Sequence, residues 1–245
     1  MSTALGLGMK WTAGYRGVSL LQYALAIVLL MTLGLWGGEK AKEEERSAKV
    51  LSVRQVLALP GAKQGLFGFT CYCAVEQMFI LWSATYLVMA QGMDAALAAS
   101  MGGLFFVGMT VGRGISGFIA MKLSPKKMVR LGQVMMVLGC MLLLIPGQGV
   151  ALFGILFMGL GCAPIYPNIV QDTPRNYGAE NSQAVIGVQM AFAYVGSLAM
   201  PTVFGWIAEV LGYGVLPVYA FVLTAAMILL FNRQQKIVDQ RNAAQ

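Results

Sequence analysis

The sequence predicts an all-α integral membrane protein with seven transmembrane helices, and three observations predict it. Of 245 residues, 58% are hydrophobic and only 11% charged, whereas soluble chains carry about 25% charged residues. The mean hydropathy is +0.71. The apolar stretches are long and continuous, with no alternation of period two, which selects helices over barrel strands.

The first 16 residues are short, mixed and amphiphilic. The first apolar run, 17–36, is about 20 residues long, longer than a signal-peptide core, and no small-residue cleavage site follows it, so no cleaved leader is expected. Residues 37–64 form a polar loop in two parts. EKAKEEERSAK reads as a solvated charge run, and VLSVRQVLAL, ending at Pro60-Gly61, reads as a short helix lying on the inner membrane surface. The second run, 65–90, closes with the turn QGMD. The third, 95–121, leads into the basic turn KLSPKK. The fourth, 128–146, ends at PGQG. The fifth, 150–171, is joined by DTPRNYGAEN to the sixth, 182–209, and the seventh is 213–231. A polar tail, 232–245, follows.

The net charge of +7 sits in short loops, where it reads as topology and not as a nucleic-acid footprint. Lys40, Lys42, Arg46, Lys49, Arg54, Lys63, Lys122, Lys126, Lys127, Arg130, Arg175, Arg233, Lys236 and Arg241 all fall on one face; Lys10 and Arg16 fall on the other. The first face is therefore expected to be cytoplasmic, with the N-terminus outside and the C-terminus inside. The four cysteines lie in apolar segments, and Cys71 and Cys73 project to nearly opposite sides of a helix. With no histidine anywhere, no metal site is expected and the usual near-neutral proton relay is absent. No cofactor is expected, and neither a P-loop nor a nucleophile–histidine pair is present.

Chemistry concentrates in the second run. Glu76 is its one charged residue, near the middle, and a carboxylate at that depth costs roughly 2.5–3.5 kcal/mol. At 100° per residue, Tyr72, Glu76 and Ser83 share one face, while Gln77 and Trp82 lie about 100–120° away and serve a different neighbour or the rim of a wide cavity. A solute- or proton-handling group and a structural, hydrogen-bonded acid are both consistent with Glu76. Arg113 is the evident counter-charge: Glu76 lies about 20 Å above Lys63 and Arg113 about 14 Å above Lys122, an offset the two side chains span if the second and third runs are neighbours. Arg113 reaching toward the cytoplasm is the other reading. Gly108, Gly112, Ser116 and Ala120 form a row of small residues for close helix packing; Ala193, Ser197, Pro201 and Gly205 form another, with a kink expected at Pro201. In GLGCAPIYPNI, two glycines and two prolines predict a bent helix, and Tyr166 and Asn168 can offer hydrogen bonds there.

These features, in this order, resemble the C-terminal half of a major facilitator superfamily transporter, most of all the bacterial sugar-permease branch typified by fucose permease. The resemblance rests on WTAGYR at Trp11–Arg16, on LALPG before the second run, and on Tyr72, Glu76, Trp82 and Tyr86. It rests further on VGRGISGFIA with its basic turn, on GLGCAPIYP, and on SQAVIGVQMAFAYVGSLAMP. The turn after the third run departs from the family pattern: Met121 stands where the family has an acid and Ser124 where it has glycine, which puts the cytoplasmic latch in doubt, although Lys122 fits.

The resemblance implies residues 1–36 as the end of an N-terminal half, 37–64 as the cytoplasmic central loop, 65–231 as a six-helix half built of two inverted three-helix repeats, and 232–245 as a cytoplasmic tail. It implies transport of a small solute across the cell's inner membrane by alternating access, with a sugar or similar polar metabolite as substrate and proton coupling left open. Site residues would be Glu76, Gln77, Tyr72, Trp82, Tyr166, Asn168, Gln189 and Tyr194, with Arg113 and Lys122 as an ion pair or gate. The partners would be the solute, the bilayer and a missing N-terminal half. Two rivals are a non-transporting half-permease scaffold and a seven-helix receptor or retinal protein; the last helix, AFVLTAAMILLF, has no lysine for a Schiff base.

Overall fold

The computed structural model describes residues 12–33 and 50–243. The chain divides into two units, 1–47 and 48–245. In the first, α1 (Thr12–Met31) is an apolar helix that starts five residues before the predicted run; residues 34–36 of that run and the charge run at 39–49 lie outside the described residues. In the second unit the helices are α2 (Val53–Ala58), α3 (Ala62–Met89), α4 (Ala95–Met101), α5 (Leu104–Ile119), α6 (Pro125–Leu144), α7 (Gln148–Tyr177), α8 (Ala179–Leu211) and, after a 3₁₀ turn at Tyr213–Val215, α9 (Leu216–Ala243). Counting α4 and α5 as one, six are long and apolar enough to cross a membrane; α1 contributes a shorter apolar stretch, Tyr15–Met31.

Local chemistry explains the boundaries. Ser52 and Gln55 form a reciprocal capping box that starts α2. The short helix is anchored to the bundle through Val56, which is buried with Ala62, Leu66, Tyr177, Val185 and Val188, while Val53, Arg54, Gln55 and Ala58 stay exposed. The Asp94 carboxylate accepts from the Ala96 and Leu97 amides to open α4. The third run breaks at Gly102–Gly103, where a Cβ on Gly102 would lie 3.1 Å from Ala84 Cβ, so α3 passes too close for a larger residue.

The fifth run is one 30-residue helix that continues through Pro164, Pro167 and Pro174. Two expectations need correction. The predicted connection DTPRNYGAEN is helical on both sides of Gly178, whose φ of +86° makes the break. The polar residues after 231 likewise continue α9 to Ala243. Tertiary partners stabilise this extension. Lys126 Nζ reaches Asp239 at 2.7 Å, Gln234 Nε2 donates to the Tyr177 hydroxyl at 2.8 Å, and Arg241 donates to the Asn176 carbonyl at 2.7 Å.

Packing follows a crossed pattern. The main partners of α3 are α8 and α9, whereas those of α7 are α5 and α6; α3 and α7 also touch each other. Sequential neighbours α3 and α5 meet only slightly. Small residues set the crossings: Gly108 and Gly159 let the α5 and α7 backbones touch, Gly132 and Gly161 do the same for α6 and α7, and Gly196 seats α8 against Thr70 of α3.

Candidate functional site

The two central helices place the predicted residues in three groups. The first lies where α3 faces α7. Tyr72 is buried and donates its hydroxyl to the Cys162 carbonyl at 3.0 Å, tying the helices together near mid-span. Phe69 stacks on Tyr72 (ring centroids 6.0 Å) and packs against Tyr166 at 5.3 Å. One turn beyond Tyr72, the half-buried Glu76 carboxylate lies beside the Tyr72 hydroxyl and within electrostatic reach of Arg113, Cys162 and Tyr166. The Tyr166 hydroxyl points to Met190 Sδ at 3.0 Å, a weak acceptor it can exchange for a better one.

Glu76 and Arg113 do not approach within 4 Å, so the expected direct ion pair is not formed. The reason is the crossed packing: Arg113 rides on α5, which leans on α7 instead of α3. Its side chain is exposed and lines a cavity of about 400 Å³ with Tyr166 and Asn168. Lys122 is exposed in the turn before α6.

The second group lines a groove of about 830 Å³ between α3 and α8. Gln77, Trp82 and Tyr194 meet there, as the angular offset of Gln77 and Trp82 from Glu76 anticipated. Trp82 is fixed by its Nε1–H, which donates to the Pro201 carbonyl at 3.2 Å, and by edge contact with Phe204 at 5.5 Å. Ser197, Thr202 and Glu209 also line this groove. Sequence reasoning passed over Glu209 because it closes the apolar run and looked like a boundary; its charge inside a long helix was the available signal.

The third group adjoins the first through Asn168, which also lines the Arg113–Tyr166 cavity. Asn168 donates to the Pro164 carbonyl at 2.6 Å, and Gln189 accepts from Thr173 at 3.3 Å. Both are buried around a slot of about 30 Å³ shared with Asp172, Asn176 and Gln234, which is room for about one water. Their polar atoms largely serve α7 and its contact with α8. The eight predicted residues therefore do not form one lining.

The sequence model of the major facilitator superfamily matches residues 65–244. The chain belongs to the major facilitator superfamily. It is accordingly a multi-pass membrane protein, and among the described residues six apolar helices are long enough to cross the bilayer. Among solved structures it resembles a major facilitator superfamily transporter, FucP, in the outward conformation, with TM-score 0.66 and 17% identity over 87% of this chain and 53% of that one. A variant of the E. coli fucose:proton symporter matches with TM-score 0.64 and 16% identity over 78% and 46%. A mutant of the peptide transporter POT in complex with sulfate matches with TM-score 0.61 and 18% identity over 79% and 42%. The chain thus spans about half the length of these superfamily transporters. No curated protein sequence matches it.

Proposed function

We propose that this chain supplies the C-terminal half of an alternating-access transporter for a small polar solute, a sugar or similar metabolite, in the cell's inner membrane. The observation that carries this reading is the Tyr72–Glu76–Tyr166 face. A half-buried carboxylate and two hydroxyls gather where the helices of the two packing groups meet. A carboxylate at membrane depth is expensive, and the structural roles are already filled: Tyr72 bridges α3 to Cys162, and among the described residues Glu76 has no cation within 4 Å. That leaves its oxygens for a solute hydroxyl or a proton. Arg113 sits near enough to sense the charge without neutralising it by contact.

The groove bearing Gln77, Trp82, Tyr194 and Glu209 opens beside this face and would form one wall of the solute path. The other wall would come from an N-terminal half, whose last helix α1 would represent. Residues 37–64 would be the central loop, 65–231 the transporter half and 232–245 a cytoplasmic segment. With the basic loops inside, α1 would begin outside and α9 would end in the cytoplasm. Lys122 in its turn would contribute to the inner gate. No catalytic chemistry belongs to this reading.

Glu76→Gln in the complete transporter is the test. If the carboxylate carries the coupled proton, uptake loses its pH dependence while exchange of solute persists. If it holds solute directly, the apparent affinity falls at every pH. Unchanged uptake with an unchanged pH profile removes Glu76 from the mechanism. The same proposal expects purified chain, reconstituted alone, to give no saturable uptake.

A further inference from the structure

α6 and α9 enclose a further groove, apart from the α3–α8 groove. Its volume is about 520 Å³, with Arg130 and Asn232 at one end and exposed Val134, Leu138 and Met141 running away from them. Gln133, 5% exposed, lines it, and its Nε2–H₂ group is buried without an acceptor. A buried amide donor left unpaired costs about 1–3 kcal/mol, so an acceptor in the groove would relieve a real penalty.

From the geometry we infer that this groove is a binding site for one anionic phospholipid. Three observations fit that occupant. From Arg130 to Met141 the α6 wall rises by eleven residue steps, about 17 Å, close to one leaflet's share of a ~30 Å hydrocarbon core. The polar end carries Arg130 and Asn232, with Lys126 one turn before Arg130 on α6, while the nearby acid Asp239 is already paired with Lys126 at 2.7 Å. Basic pockets between transmembrane helices at a membrane surface favour anionic headgroups. Among the described residues Arg130 holds only a long 3.4 Å bond to Asn232 Oδ1, so its guanidinium is available for a bidentate phosphate. Gln133 stands one turn deeper than Arg130, level with the glycerol esters of a lipid whose phosphate sits on Arg130, and an ester carbonyl gives its amide the missing acceptor. The acyl chain then covers Val134, Leu138 and Met141.

The test is native mass spectrometry of the purified protein in mild detergent, titrated with phosphatidylglycerol and, separately, with phosphatidylcholine of the same chain length. The expected result is one retained phosphatidylglycerol at concentrations where phosphatidylcholine is not retained. Arg130→Gln should weaken retention about tenfold or more, as expected for a charge-assisted contact, and Gln133→Leu about three- to tenfold. Lys127→Gln, which changes charge equally but lies outside the groove, should leave retention unchanged. Equal retention of the two lipids by the wild-type protein overturns the inference without recourse to any variant. So does equal loss in Arg130→Gln and Lys127→Gln, which would mean a diffuse surface charge, or wild-type retention by Arg130→Gln with an unchanged lipid-free melting temperature.

Discussion

Two glycines of α5, two residues apart, make the packing of this bundle testable by one chemical change. At Gly112 an added Cβ would stand 2.6 Å from Ala163 Cβ and 3.1 Å from the Leu160 carbonyl oxygen; at Gly114 it would meet nothing within 4 Å. Ordinary contact begins near 3.4 Å, so Gly112→Ala must push α5 and α7 apart by about 0.8 Å (3.4 − 2.6). Neither neighbour can rotate away, since one is a methyl fixed to the backbone and the other a backbone carbonyl. Overpacking of this kind costs about 1–3 kcal/mol, partly offset by up to ~1 kcal/mol of helix propensity. Gly114→Ala keeps the propensity gain without the clash. The two variants should therefore differ by about 1–3 kcal/mol, Gly112→Ala being the weaker. Reversible unfolding of the chain in mixed micelles, followed by far-UV circular dichroism, measures the difference. Equal stabilities within about 0.5 kcal/mol would refute the close α5–α7 approach and, with it, the crossed packing that separates Arg113 from Glu76.

Two further outcomes follow from single contacts. Lys126–Asp239 is a close pair, but Asp239 is 64% exposed, so Asp239→Asn should cost no more than about 1 kcal/mol, and a double-mutant cycle should show that coupling fading at high salt. Cys71 is half-buried while Cys73, Cys140 and Cys162 are buried, so a membrane-permeant maleimide should modify one thiol first and the other three only after denaturation; peptide mapping that finds Cys140 or Cys162 labelled early would contradict the burial described.

The spans were legible in the sequence because a bilayer demands unbroken apolar length, and nothing else in this composition can supply it. The polar stripe on α3 was legible for a related reason: 100° spacing fixes which face Tyr72 and Glu76 share, and the Tyr72 bond to α7 lies on that face. What failed was inference from adjacency. A four-residue turn brings the third run close to α3 at one end, as α4 does, but the glycine row of α5 carries it onto α7. Pro164 and Pro167 do not end α7, which continues through them while the Pro164 carbonyl takes the Asn168 amide. The polar segments at 172–177 and 232–243 look like loops in isolation and are helical because each supplies the other's hydrogen-bond partners.

Gly178 joins α7 to α8 alone, at φ +86° and ψ +147°, a backbone conformation almost reserved for glycine. The 30 residues before it and the 33 after it are helical rods joined by that one residue. At this end the two rods cannot slide past each other or draw apart by more than a peptide's length. A change in the angle between α7 and α8 would therefore pivot at Gly178, with displacement growing toward the far end of α8, where Glu209 lines the open groove.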